Sequence, residues 1–306
     1  MPMYFLKRIL LMIPLLVIIS SLAFVLVRVA PGGPFDKERP PASPEIERAL
    51  NAKYHLDEPI WKQYLRYLGS LVQGDFGPSL KYRNHTVNDI ITQGLPVSLA
   101  LGGLAFCFAI GLGLPLGVAT ALRKGHWDEY AGSFFALAGV CVPAMVIGPL
   151  LVMVFAIEFQ WLPVALWGSP LNAILPTMTL GLYFAGRIAR LMREGMLNTL
   201  NAEFITAARA KGLSEVAVLW KHAFPLAVLP VVSYAGPMLA ELLTGSFVVE
   251  NIFQIPGIGV FMVHSSLNRD YPMVVGLVIL YAVLLLVLNL IVDLTYSLLD
   301  PRVKYE

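Results

Sequence analysis

Apolar residues in this chain arrive in runs as long as the roughly 20 residues a helix needs to cross a ~30 Å hydrocarbon core. Six such runs can be drawn, over 9–30, 96–122, 130–157, 174–192, 225–249 and 273–299. Backbone N–H and C=O groups have no water to bond inside lipid, so each run is expected to be a helix. Charged residues make up only 14% of the 306, against roughly 25% in soluble domains. The expected fold class is an all-α polytopic membrane protein with six transmembrane helices. The third run is interrupted by Pro143 and Pro149.

The first run starts behind Lys7 and Arg8 like a secretory signal. Its small-residue exit at Val29-Ala30 has Arg28 just before it and Pro31 just after it, both poor for cleavage. A retained helix is expected. Orientation is set by Lys and Arg in short loops. With both termini cytoplasmic, Arg123, Lys124, Arg187, Arg190, Arg193, Arg209, Lys211 and Lys221 fall inside. The short outer loops 158–173 and 250–272 then hold Arg269 alone among basic residues. Residues 31–94 form a longer outer segment with a proline-rich start. Ile46, Leu50, Tyr54, Ile60, Tyr64, Leu68 and Leu71 recur there at mostly helical spacing, which predicts amphipathic helices broken near Asp57-Glu58-Pro59. Gly74-Asp75-Phe76-Gly77-Pro78 reads as a turn.

The chain divides accordingly into a first helix (1–30), an outer helical subdomain (31–94), a core (95–300) and a cytoplasmic tail (301–306). A net charge of +2 gives no footprint for nucleic acid. Cys107 and Cys141 lie inside apolar runs and are expected to be small buried hydrophobes. His55, His85, His126, His222 and His264 are scattered without ligand spacing, so no metal or other cofactor is expected. No span contains a histidine and no H-E-x-x-H occurs, which argues against an intramembrane protease. Sparse midspan charge and no clear internal repeat argue against a secondary transporter.

The most informative loop is 201–225. Asn201 is a favourable N-cap, Glu203 lies in the first turn, Lys211 in the last, and Gly212 just beyond. That order predicts a helix over 202–211. A second start at Ser214 carries Val216, Leu219, Trp220 and Ala223 at helical spacing, and is expected to lie along the membrane surface before Pro225.

Thr206-Ala207-Ala208, Gly212 and Phe224-Pro225 fall on the spacing E-A-A-x(3)-G-x(9)-I-x-L-P. This loop resembles the EAA loop of binding-protein-dependent transporter permeases, with Thr206 in place of Glu, His222 in place of Ile and Phe224 in place of Leu. Arg28-Val29-Ala30-Pro31-Gly32, Lys53-Tyr54-His55-Leu56-Asp57, Gly74-Asp75-Phe76-Gly77, Ala208-Arg209-Ala210-Lys211-Gly212, Val249-Glu250, Pro256-Gly257-Ile258-Gly259 and Asn268-Arg269-Asp270-Tyr271 are similar to the peptide subgroup. Among its members the chain most resembles the first permease subunit of oligopeptide importers.

The resemblance implies the type I importer permease fold with a small periplasmic insertion after the first helix. It implies a place in the bacterial inner membrane, a heterodimer with a second homologous permease, two ATPase subunits and a periplasmic peptide-binding protein. Thr206, Ala207, Ala208, Lys211, Gly212, Phe224 and Pro225 would form the ATPase-coupling loop. In the family, small residues there let backbones approach closely. The cargo would be oligopeptides, while similar relatives move dipeptides, glutathione or nickel chelates. The chain lacks a G-x(4)-G-K-[ST] loop, so ATP would be bound by the partners and this subunit would not be an enzyme.

Within the spans, Gly113 and Gly117 flank Pro115 and are expected to pack helices closely. Pro143, Pro149, Pro230 and Pro237 read equally as kinks or hinges. Glu241 is the acid nearest mid-span in the fifth run and, with Pro237, is a candidate for contact with cargo. Asp293, with Asn289 one turn earlier, is an intramembrane acid; pairing with Arg187 or Arg190 is the expected reading, cargo contact the other.

Overall fold

The computed structural model describes residues 2–29, 57–82, 84–244 and 246–299, with side chains over slightly shorter ranges. Among them the regular elements are helices, apart from an isolated antiparallel bridge between Pro78 and Thr86. In chain order these are α1 (Pro2–Val29), α2 (Ile60–Val72), α3 (Val87–Leu122), α4 (Trp127–Cys141), α5 (Ala144–Leu151) and α6 (Pro170–Leu200). They continue as α7 (Glu203–Ala210), α8 (Glu215–Ala217), α9 (Phe224–Ala227), α10 (Leu229–Thr244), α11 (Phe247–Ile252), α12 (Ile258–Asn268) and α13 (Tyr271–Leu299). Val152–Glu158 and Val218–Ala223 are π-helical. Among the described residues four stretches are long and apolar enough to cross a membrane: Arg8–Val27, Val87–Leu122, Leu229–Ile252 and Tyr271–Ile291. Trp127–Cys141 and Ala144–Glu158 make a fifth if the bent pair counts as one.

Contacts divide the chain into two compact units, one of Met1–Val97, Gly257–Leu286 and Tyr305–Glu306, the other of Ser98–Pro256 and Val287–Lys304. In the first, α1 exposes Leu10, Leu11, Ile13 and Leu26, a surface suited to lipid. Near its end, Ser21 and Tyr64 share a 2.6 Å hydrogen bond, and the Phe24 ring lies 5.2 Å from that of Tyr64 and 6.0 Å from that of Tyr67. Burial, aided by Tyr64, pushes the Tyr67 hydroxyl up. The helix α2 starts after Pro59, where the break is expected. Ile46, Leu50 and Tyr54, with the rest of residues 30–56, lie outside the described residues.

The turn at 74–78 has Gly74 and Gly77 at positive φ. It is tied to α3 by Asn88, which accepts from Phe76 N at 2.9 Å and donates to Gly74 O at 2.6 Å. The helix α3 begins nine residues before the expected Pro96. Thr86 and Asp89 exchange hydrogen bonds, Thr86 N to Asp89 Oδ2 at 2.9 Å and Asp89 N to Thr86 Oγ1 at 3.2 Å. That reciprocal cap starts the helix upstream, and Pro96 sits inside it at the loss of one ladder bond. Val87, Ile90 and Ile91 bury against Ile258, Met273 and Leu277. Beside this cluster the buried Asp270 caps α13 by accepting from Met273 N at 3.4 Å. It also accepts from Ser79 Oγ at 2.5 Å and Leu80 N at 3.1 Å.

In the second unit the third expected span is two limbs meeting at 110°. Pro143 disfavours helical backbone at the residue before it, and Val142 and Pro143 are both extended, with ψ of 121° and 145°. Each limb, at 15 residues, reaches only about 22 Å. The fourth expected span lies inside α6, whose 31 residues reach about 46 Å. Its polar content keeps α6 out of the set recognised by apolarity, and twelve of its residues are buried.

Small residues carry its packing. A Cβ on Gly113 would lie 2.7 Å from the Ala185 carbonyl oxygen and 2.8 Å from Ile188 Cβ, and one on Gly117 would lie 2.5 Å from the Ala189 carbonyl. Similar additions at Gly186 and Gly195 would overlap the carbonyls of Ala136 and Ala227. Gly113 and Gly117 therefore pack α3 on α6 backbone to backbone. Cys107 and Cys141, expected buried, are exposed on α3 and α4. A small hydrophobe meets the same apolar surroundings facing lipid as facing the core, so hydrophobicity does not choose between them.

Gly113→Ala is expected to destabilise the folded chain by about 1–3 kcal/mol through overpacking. Gly103→Ala, on the same helix with nothing within 4 Å, is expected to be neutral or stabilising by up to about 1 kcal/mol. Thermal unfolding of the two variants in detergent, read side by side, checks this.

Candidate functional site

The loop between α6 and α10 is built by helix termination. Asn201, expected to start the next helix, instead ends α6: its Nδ2 donates to Leu197 O at 2.8 Å. The following helix α7 begins at Glu203 with Ala202 in the cap position. Asn201 has φ −90° and ψ 0° as the end of α6, not the extended backbone an N-cap needs, which explains the shift.

The end of α7 keeps the expected order. Gly212 N donates to Arg209 O at 2.9 Å and Leu213 N to Ala208 O at 3.4 Å, the paired bonds of a Schellman stop, with Gly212 at φ +79°. A Cβ at Gly212 would meet nothing within 4 Å. Within this chain, glycine is therefore required there for its backbone angle and not for close approach.

Across the stop, Arg209 makes a forked pair with Glu215, Nε to Oε1 at 2.9 Å and Nη2 to Oε2 at 3.2 Å. The hydrogen bond and charge of Glu215 push the Arg209 pKa up. Ser214 Oγ accepts from Ala217 N at 3.4 Å, capping the second start as expected. The second start divides its side chains between the surface and the body. Val216 and Trp220 are 69% and 53% exposed, whereas Val218 and Ala223 are fully buried. The π-helical stretch Val218–Ala223 bonds i to i+5, which brings Val218 and Ala223 to one face and rotates the α-helical pattern away from the body.

The side chains of α7 divide the same way. Ile205 and Ala208 are buried and hold the helix down, while Thr206, Ala207, Lys211 and Gly212 are exposed. Pro225 is exposed and Phe224 half-buried, its ring 5.1 Å from that of Trp220. Phe204, Leu213, Val216 and Trp220 add exposed apolar surface. Sequence reasoning missed Phe204, Leu213 and the Arg209–Glu215 fork; opposite charges six residues apart across a glycine stop were the signal that could have found it.

A second cluster joins α6 and α10. Arg187 Nη1 donates to the Tyr183 hydroxyl at 3.2 Å, and its guanidinium carbon lies 4.6 Å from the centre of the Tyr234 ring. Glu241 and Pro237 are both exposed on α10, and Glu241 is within electrostatic reach of Arg187. The Asp293 side chain lies outside the described residues, and so does its expected pairing. Elsewhere on α6, Arg193 pairs with Glu129, which also accepts from Gly125 N.

The sequence pattern of the binding-protein-dependent transport system inner membrane components matches residues 113–305. The chain belongs to this family. It is 44% identical to the oligopeptide transport system permease protein OppB of Haemophilus influenzae over 98% of both chains. It is 45% identical to OppB of Salmonella typhimurium over 99% of both. Against the dipeptide transport system permease protein DppB of Bacillus subtilis it is 42% identical, over 99% of this chain and 98% of that one.

In fold, this permease is similar to the MetNI methionine ABC transporter in an inward-facing conformation, with a TM-score of 0.58 at 19% identity, over 69% of this chain and 96% of the other. An amino acid ABC transporter with histidines gives 0.51 at 17% identity, over 69% and 94%. By family, this chain is a multi-pass membrane permease of a binding-protein-dependent transport system.

Gly212→Ala is expected to cost about 1–2 kcal/mol at the stop, because a Cβ is poorly tolerated in the left-handed region. Gly212→Asn should cost less, since asparagine visits that region more readily. Hydrogen exchange of the amides of α7 and the residues just after it would report the order Gly, Asn, Ala.

Proposed function

We propose that this permease forms half of the translocation pathway for oligopeptides handed over by a periplasmic binding protein. The near full-length likeness to oligopeptide permeases carries the cargo reading. The second half comes from a separate, homologous permease subunit, and two ABC ATPase subunits supply the energy. ATP binds on those partners; this subunit holds no cofactor and catalyses no reaction of its own. The likeness to a dipeptide permease at 42% identity supports dipeptides as the second reading of the cargo.

The chain sits in the bacterial inner membrane with six spans and both termini in the cytoplasm. The bent pair α4–α5 acts as one span, and α6 crosses despite its polar residues because much of it is buried by neighbours. Residues 31–94 face the periplasm, 95–300 form the core, and 301–306 are a cytoplasmic tail. The loop 201–225 docks on an ATPase through Thr206, Ala207, Lys211, Gly212, Pro225 and the exposed apolar side chains around them, with Ala208 and Phe224 anchoring it. When ATP closes the ATPase dimer the loops move together, and the two permeases rock between inward- and outward-facing states. Glu241, Pro237 and Asp293 are the pathway-side candidates among the acids and prolines.

Cells lacking this chain are expected to lose uptake of labelled tri- to pentapeptides and to regain it when the chain is restored. Uptake should stop when ATP is depleted with the proton gradient intact. Persistent uptake under ATP depletion would refute the coupling. Topology has a separate test: a cysteine at the exposed Asn84 should react with an impermeant thiol reagent on intact spheroplasts, whereas labelling only after lysis would reverse the orientation.

A further inference from the structure

The exposed faces of the spans differ in chemistry. On α1 the exposed side chains are leucine, isoleucine and valine, with Pro14, an apolar set suited to lipid. On α10, beyond Leu229, they are Pro230, Ser233, Pro237 and Glu241, recurring every three to four residues and so sharing one face. Leu229 shares their spacing at the start of the helix; beyond it no exposed large apolar side chain stands among them. An ionisable residue on such a face belongs against a watery cavity or a protein neighbour and not against acyl chains. Pro237 has no N–H, so the Ser233 carbonyl on the same face lacks the donor that a regular helical ladder would supply.

Arg187 stands beside this face. Tyr183 accepts one of its five N–H donors at 3.2 Å, and the Tyr234 ring covers the guanidinium at 4.6 Å. The Tyr234 hydroxyl is buried and has no hydrogen-bond partner among the described residues. A guanidinium stacked on a ring is held in orientation with its remaining donors in a plane, the arrangement that receives a carboxylate through two parallel bonds.

We propose that Arg187, positioned by Tyr183 and Tyr234, is a binding station for the C-terminal carboxylate of the peptide in transit. The inference rests on the peptide reading above. A free carboxylate terminus is common to linear peptides whatever their side chains, so a station for it does not narrow the cargo. The Tyr234 hydroxyl is free to act as a further donor to the same group. Glu241, within electrostatic reach of Arg187, competes for the guanidinium and keeps the hold weak enough for release, as a transport pathway demands.

The test uses the complete importer in proteoliposomes, with its binding protein and a labelled tripeptide, reading peptide delivered per ATP hydrolysed. Arg187→Gln is expected to lower that ratio about tenfold or more, the scale of losing one hydrogen bond to a charged group. Arg187→Lys should retain part of it, and Arg187→Gln combined with Glu241→Gln should stay low.

Three outcomes would overturn the station. The ratio could be unchanged in Arg187→Gln. Uptake and ATP hydrolysis could fall in parallel, as for a purely structural tie. Adding Glu241→Gln could restore delivery, as for an internal ion pair. A wild-type complex that delivers no tripeptide would remove the peptide reading together with the station. A competent wild type with an indifferent Arg187→Gln would remove the station alone.

Discussion

Water drives apolar helices together in a soluble core, but lipid offers no such preference between a leucine facing a neighbour and one facing an acyl chain. The second unit is therefore held by contact at close range, and α6 is where that contact concentrates. Gly113 and Gly117 on α3 bring it against the backbone at Ala185 and Ala189. Gly186 and Gly195 on α6 do the same toward Ala136 and Ala227. Many shallow dispersion wells and weak Cα–H···O contacts sum along these seams, and they require that no Cβ stand between. The helix α6 also carries arginines, of which Arg187 and Arg193 are half-buried among neighbours and Arg190 is exposed.

Much of this architecture was legible in the sequence, for a physical reason. Span length and the run of apolar residues are dictated by the thickness of the membrane, so the helices fall close to where hydropathy puts them. The boundaries that moved did so where a short-range polar contact outweighed composition. Thr86 and Asp89 start α3 upstream of Pro96, and Asn201 bonds back to Leu197 instead of forward into α7. The sharp bend at Val142-Pro143 was legible as an interruption but not as an angle, because proline fixes its own φ and leaves the onward direction of the chain to packing.

The candidate loop was half legible. Its glycine stop and its serine cap are dictated by residue type and position alone. Which side of the second start faces inward is not: the stretch is wound as a π-helix, and Val218, off the α-helical spacing of Val216, Leu219, Trp220 and Ala223, is buried together with Ala223. The cation over the Tyr234 ring was also out of reach: Arg187 and Tyr234 are far apart in sequence, and neither belongs to a local motif. Only the fold brings them together, beside a polar stripe that is itself apparent only once exposure is known.

The Arg209–Glu215 fork has a mechanical consequence. A short helix ended by a left-handed glycine is joined to the next helical turn by a hinge, and a hinge absorbs a push by folding. The fork spans that hinge on its outer side, with two parallel hydrogen bonds resisting both opening and twist. Held in this way, α7 and the start of α8 share one relative orientation across the glycine stop, and the chain runs on from there through Pro225 into α10.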